Sequence, residues 1–208
     1  MIKNIVFDMG QVLMYFDPDT YIARLGYTGE DAALLKREVF RSADWVSTDH
    51  GTKLPAEAAA DMCRRLPQRL HAAAEELCCR WWHGEIVPVP GMAELVRELR
   101  AKGYGVYLLS NASSALHEYF HRIPGSECFM GKLVSADVKL LKPMHEIYER
   151  LYSEFELKPE ECWFVDDSPT NVECARCTGM GGSVFYNDAK RFRRELRAQG
   201  VDISEEQI

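Results

Sequence analysis

Five short runs rich in β-branched and aromatic residues recur along the chain: Ile2 to Phe7, Gly105 to Leu109, Cys128 to Val134, Cys162 to Val165 and Gly182 to Tyr186. Their length and apolar character predict strands. Most are followed by helical patterns. "PMHEIYERLYSEF" sets Met144, Ile147, Tyr148, Leu151, Tyr152 and Phe155 at helical spacing behind Pro143, a residue suited to a first helical turn. "SPTNVECARCTGMGG" predicts a helix that opens on a Ser168 cap and stops at Gly179. Strands alternating with helices predict an α/β fold: a parallel sheet covered on both faces, with ligands gathering at the carboxyl ends of its strands.

The first and second runs are separated by roughly a hundred residues, far more than one crossover helix needs. The segment between them reads as helical almost throughout. "EDAALLKREVF", "LPAEAAADMCRRL" and "QRLHAAAEELCCRWW" are rich in Ala, Leu, Glu and Arg, with a break at "TDHGTKLP". The expected organisation is a core of residues 1–15 and 88–208 with a helical cap, residues 16–87, inserted after the first strand; Pro88, Pro90 and Gly91 mark the return.

Length and charge narrow the function. With 208 residues the chain suffices for one sizeable core, or for a core with a smaller insert. A net charge of −7 argues against a nucleic-acid surface, and a small anionic substrate needs local positive charge or a metal to receive it. No charged-then-apolar leader and no apolar run near membrane-spanning length is present, so a cytoplasmic setting is expected. Seven irregularly spaced cysteines fit reduced thiols better than a disulfide framework. Cys174 and Cys177 form a lone C-x-x-C inside the last predicted helix, where packing is the expected role.

Four polar sites fall just after predicted strands, and the topology brings them to one edge. They are Asp8, where the apolar run Ile5-Val6-Phe7 ends on a charge before a tight Gly-containing loop; Ser110 and Asn111; Lys142 in "KLLKP"; and Asp166 with Asp167. Singly, each is an ordinary loop carboxylate, cap, solvent lysine or turn. Their joint placement points to an active site.

These stretches resemble the haloacid dehalogenase-like hydrolase superfamily over most of the chain. "VFDMGQVL" is similar to its first motif, "YLLSNAS" to its second, "KLLKPMHEIYE" to its third and "WFVDDSPTNVECARCTGM" to its fourth, and the helical insert is similar to its inserted cap. The resemblance implies a Rossmann-like core and an aspartate nucleophile. Most members are Mg²⁺-dependent phosphatases, and the branch acting on small sugar phosphates looks nearest. By that resemblance Asp8 attacks phosphorus and binds Mg²⁺ together with Gly10, through its carbonyl, Asp166 and Asp167. Ser110, Asn111 and Lys142 hold the phosphoryl oxygens, and Lys142 also neutralises Asp8. The residue types suit the task, since a carboxylate reaches a phosphoryl group only where negative charge is offset, and a hard cation takes oxygen ligands.

One position departs from the pattern. In most phosphatases of this family the second residue after the nucleophile is an aspartate that protonates the leaving oxygen, help typically worth about 10²–10⁴ in rate. Here it is Gly10. Asp17, Asp19, Asp49 and His50, in or beside the predicted cap, are candidate substitutes, although solvated loop or cap residues are the ordinary reading of each. Trp45, Trp81, Trp82 and His83 offer either a stacking surface for a sugar ring or plain filling between cap and core. Gly10 also admits a binding protein that keeps the pocket without turnover. A metal-free dehalogenase of the same fold leaves the double carboxylate Asp166-Asp167 without purpose. A zinc peptidase is suggested by H-E-x-x-H at His117 to His121 on a predicted helix, with Leu116, Tyr119, Phe120 and Ile123 as its apolar face and both histidines toward solvent.

Overall fold

A computed structural model describes residues 1–204 of the chain. Its five strands are β1 (Asn4–Phe7), β2 (Gly105–Ser110), β3 (Gly131–Val134), β4 (Cys162–Asp166) and β5 (Gly181–Val184). They form one parallel sheet in the order β3-β2-β1-β4-β5, so β1 lies at the centre. The chain extends the sheet outward on one side of β1, then crosses to the other side. The carboxyl ends beside β1 are therefore the switch point where such sheets hold ligands. Phe7 is level with Leu108 on β2 and Val165 on β4, which brings the residues just beyond them, Asp8, Leu109 and Asp166, to one height.

Two faces of the sheet bury alternate residues, as the period of a strand demands. Ile5, Phe7, Val106, Leu108 and Val165 pack with Leu95, Val96, Leu99, Phe192 and Leu196 from helices Met92–Ala101 and Ala189–Ala198. Val6, Tyr107, Leu109 and Phe164 pack on the opposite face with Ile147, Tyr148, Leu151 and Val172 from helices His145–Phe155 and Pro169–Cys177. Both strongly patterned helices form, although the first starts at His145 with Met144 as its N-cap, so Pro143 precedes the helix and is not in its first turn. The Ser168 hydroxyl caps the second by accepting from the Asn171 N–H. The third strand is shorter than its apolar run. Gly125 adopts a left-handed φ of +89° and starts a 3₁₀ turn over Ser126–Cys128, which takes Cys128 out of the sheet.

Between β1 and Met92 the chain is helical: Pro18–Arg24, Gly29–Leu35 running into a π turn at Lys36–Phe40, then Ala43–Asp49, Pro55–Cys63 and His71–Arg80. The break in "TDHGTKLP" begins two residues later than its polar character suggests, because Thr48 and Asp49 still belong to a helix. These helices bury an apolar cluster of their own, including Ile22, Leu35, Val39, Met62, Leu70 and Leu77. Trp81 packs against both this cluster and the one on the first sheet face.

Candidate functional site

Asp8 follows the last residue of β1 and remains tied to the sheet, its N–H donating to Val165 O at 2.9 Å. The next residues fold back on themselves: Leu13 N–H and Met14 N–H donate to Met9 O, and Gln11 N–H donates to Met14 O at 2.7 Å. The left-handed residue of this loop is Gln11, with φ of +58°, and not Gly10. Its side chain donates from Nε2 to Phe16 O at 2.6 Å. Gly10 has no positive φ, and a Cβ placed there would meet only Phe16 Cβ, at 3.8 Å.

Lys142 enters the site from the loop after β3 and is buried. Its ammonium donates to Asp8 Oδ1 at 2.7 Å, Asp166 Oδ2 at 2.6 Å and Leu109 O at 2.9 Å, so all three of its hydrogens have acceptors. Burial disfavours its charge, but the carboxylates of Asp8 and Asp166 outweigh that and hold it above the usual lysine range. Burial pushes the Asp8 carboxyl up to about 7, even with Lys142 drawing it down. Asp167 is exposed, and its carboxyl is raised by partial desolvation and then by Asp166. Asp166 is held in turn by Ser168 N–H at 2.8 Å and by Asn171 Nδ2 at 3.0 and 3.1 Å.

Asn111 has a different partner from the one expected. Its amide donates to Lys142 O at 2.9 Å and accepts from Lys142 N–H at 2.8 Å. The side chain is therefore a reciprocal clamp on the lysine backbone, with one Nδ2 hydrogen left over. Asn171 is a site residue that sequence reasoning missed. Its signal is its place in the first turn after the Ser168 cap, which aims it back at the end of β4.

A cavity of about 250 Å³ opens over these groups. Asp8, Gly10, Ser110, Asn111, Lys142 and Asp167 line its floor, and Phe16, Trp45, Cys78, Trp81 and Tyr119 form its apolar walls. Phe16 is the hub of these rings, with centroids 5.0 Å from Trp81 and 5.8 Å from Trp45. Trp82 is buried instead, stacked on Tyr119 at 5.4 Å, and His83 is exposed. Neither lines the cavity.

Of the four candidate acids, Asp49 alone lines the cavity. Asp17 caps helix Pro18–Arg24, accepting from Asp19 N–H at 3.1 Å and Thr20 Oγ1 at 2.6 Å. Asp19 pairs with Lys36 at 2.6 Å. His50 donates from Nε2 to Lys139 O at 2.9 Å, outside the cavity. Burial pushes the Asp49 carboxyl up to about 8, against the Trp45 side chain and the Ser113 N–H that favour its ion. The backbone around it is fixed to the core: the Ser135 hydroxyl donates to Asp49 O, and Gly51, at φ of +73°, lies so close to Ala136 O that a Cβ would come within 2.1 Å.

The H-E-x-x-H reading fails on geometry. The helix expected there is one turn, Leu116–Tyr119, followed by a 3₁₀ turn, Phe120–Arg122. His117 pairs with Asp137 at 2.7 Å, and neither histidine belongs to a group of three convergent ligands among the described residues. Cys174 and Cys177 are likewise free thiols outside any such group, Cys174 half-buried with its Sγ 2.8 Å from Pro143 O and Cys177 exposed.

Among the described residues the convergent group is Asp8, Asp166 and Asp167, whose carboxylate oxygens lie within 4.8 Å of one another. An all-oxygen, all-carboxylate set beside a cavity fits a hard divalent cation, and one lysine leaves its negative charge incompletely offset.

A sesquiterpene phosphatase, astK, of Aspergillus oryzae is 28% identical over 200 residues, covering 94% of this chain and 95% of its own. The chloroplast flavin mononucleotide hydrolase 1 of Arabidopsis thaliana is 30% identical over 114 residues, a match that takes in 55% of this chain and 46% of that one. A solved HAD family enzyme of Bacteroides thetaiotaomicron, in complex with magnesium and inorganic phosphate, shares the fold with a TM-score of 0.66 at 22% identity, over 88% of this chain and 94% of that one. These relatives support a phosphoric monoester hydrolase. The profile of the haloacid dehalogenase-like hydrolases runs over residues 2–179, from the start of the central strand to the end of the helix that follows the double aspartate, and the chain belongs to that family.

Proposed function

We propose that the chain is a Mg²⁺-dependent phosphatase of small phosphate monoesters that works through an aspartyl-phosphate on Asp8. The observation that carries this reading is the Lys142 ammonium held between Asp8 and Asp166, with Asp167 beside them at the cavity. Asp8, Asp166, Asp167 and the Gly10 carbonyl would hold the cation, which supplies charge neutralisation at the phosphoryl oxygens when bound. Lys142 keeps Asp8 oriented and lowers the cost of bringing a dianion to a carboxylate. The Ser110 hydroxyl receives a phosphoryl oxygen, while Asn111 acts mainly by fixing the Lys142 backbone. Residues 16–87 serve as a cap over the core of 1–15 and 88–208, a division supported by the separate apolar cluster of those helices and by the walls they give the cavity.

A sugar phosphate is the substrate expected from sequence, yet the walls favour an apolar or flat organic group. Several polar side chains there already have protein partners: Thr48 Oγ1 donates to Trp45 O, Gln11 to Phe16 O and Asn171 to Asp166. That leaves few groups for sugar hydroxyls and an aromatic surface for a ring or prenyl chain. The names of the sesquiterpene and flavin mononucleotide relatives point the same way. A cytoplasmic setting is part of the proposal, supported by seven free cysteines; among the described residues no helix is long and apolar enough to cross a membrane.

The test is inorganic phosphate release from prenyl phosphates, flavin mononucleotide and sugar phosphates, with and without Mg²⁺. Asp8→Asn is expected to reduce release to the enzyme-free blank, and an unchanged rate overturns the nucleophile assignment. Gly10 favours one second reading, a phosphate-ester-binding protein. Binding by calorimetry with no release from any ester would select it.

A further inference from the structure

Attack by Asp8 on a phosphate monoester breaks the bond between phosphorus and the ester oxygen, and an alkoxide departs slowly unless a proton meets it. Gly10 has no proton to give, and Lys142 has all three of its hydrogens bonded to acceptors. Asp166 accepts from Lys142, Ser168 and Asn171 and does not line the cavity. Among the carboxyl groups that line the cavity, Asp8 and Asp167 belong to the cation cluster, which leaves Asp49.

We propose that Asp49, at the carboxyl end of helix Ala43–Asp49, is the general acid that protonates the leaving oxygen, a role that rests on Asp8 being the nucleophile. Its position is fixed from the core side. Ser135 holds its carbonyl, His50 anchors to Lys139 O, and Gly51 packs on Ala136. The groups that face it are the Trp45 indole on its own helix, the Ser113 N–H beyond β2, Cys78 on helix His71–Arg80 and Tyr119 on helix Leu116–Tyr119. Asp8, Lys142 and Asp167 lie on the cavity floor. Cys78 and Tyr119 are pushed up and stay neutral, so neither competes for the proton near neutral pH. The burial that lifts Asp49 to about 8 keeps it protonated there, as a donor requires.

The proton balance closes. Asp8 bonds to phosphorus as the phosphorus–oxygen ester bond breaks, and the ester oxygen takes the Asp49 proton and leaves as an alcohol. Water then attacks the aspartyl-phosphate and gives up a proton to the Asp49 carboxylate. The bond from Asp8 to phosphorus breaks, which restores both side chains and releases phosphate.

The experiment compares kcat/KM for phenethyl phosphate, whose alkoxide needs a proton, with that for para-nitrophenyl phosphate, whose phenolate does not. Asp49→Asn is expected to lower the first by about 10²–10⁴ and the second by less than about tenfold. Equal loss on both esters, or no loss on either, overturns the assignment. Wild-type enzyme gives an independent check: a shallow dependence of kcat/KM on leaving-group basicity supports a proton donor, and a steep one overturns it. Failure of the nucleophile reading looks different, because Asp8→Asn would then retain hydrolysis of both esters, or the wild type would hydrolyse neither, and the role of Asp49 would fall with it.

Discussion

At the scale of single residues, the site is a set of charges placed where their protonation can be controlled. Lys142 is central. Replacing it with Met leaves Asp8 and Asp166 as adjacent buried carboxylates without their counterion, a change that typically costs about 3–5 kcal/mol. Asp49 makes a prediction about pH. Its ordinary value of 3.8 is lifted to about 8, so between those limits the folded chain keeps a proton that the unfolded chain has released. Stability tied to that proton is fully present at the acid end of the window and is lost as pH rises through it. In chelator, where Asp8 titrates in the same direction, melting temperatures should fall between about pH 5 and pH 8, and less steeply for Asp49→Asn. Equal slopes would show that burial does not hold the proton there. Asp8, Asp166 and Asp167 were legible in sequence because each stands at the end of a strand, whereas Lys142 lies eight residues beyond β3, past a helical turn at Ser135–Val138, and was legible by its motif. Asn171 was not, since an Asn in a first helical turn ordinarily serves the backbone, and neither was the Asn111 clamp, whose partner lies 31 residues away.

At the scale of elements, helix Ala43–Asp49 matters most, because the short segment after it docks on the core. Gly51 is left-handed and in contact with Ala136, so Gly51→Ala both strains the backbone and drives a methyl into a carbonyl. The expected loss is about 1–3 kcal/mol in urea denaturation. Activity should fall further than stability alone explains, since the same shift moves Asp49. If activity stays in step with the folded fraction, the segment does not position the acid. Elements whose patterns are strong, such as His145–Phe155 with its apolar stripe, could be read directly from spacing. The π turn at Lys36–Phe40 and the early end of helix Leu116–Tyr119 could not, because tertiary packing sets them against a continuous helical pattern.

At the scale of the whole molecule, two apolar clusters flank the sheet and a third belongs to the helices between β1 and Met92. Trp81 spans the third and one of the others, and its ring also meets Phe16, Tyr21, Trp82 and Tyr119. Trp81→Ala is expected to cost about 3 kcal/mol and to separate chemical unfolding into two transitions, the helical segment first. A single transition followed identically by fluorescence and circular dichroism would mean that the clusters unfold as one. The parallel sheet and the helical insert follow from pattern alone. Trp45 and Trp81 were candidates for a stacking surface from sequence, but that Phe16 and Tyr119 join them was not legible, because the four rings converge from four separate stretches.

The loop after β1 has one further consequence. Its demanding backbone angles fall on Gln11, and the neighbouring glycine occupies ordinary conformational space with room beside Phe16. Chain geometry therefore gives heredity no reason to keep that glycine. Every aspartate codon is a single base from a glycine codon, so a second acid would be an easy acquisition in any lineage that gained from it. With Asp49 already placed to supply the proton, as proposed above, such a mutation would bring duplication more than rescue.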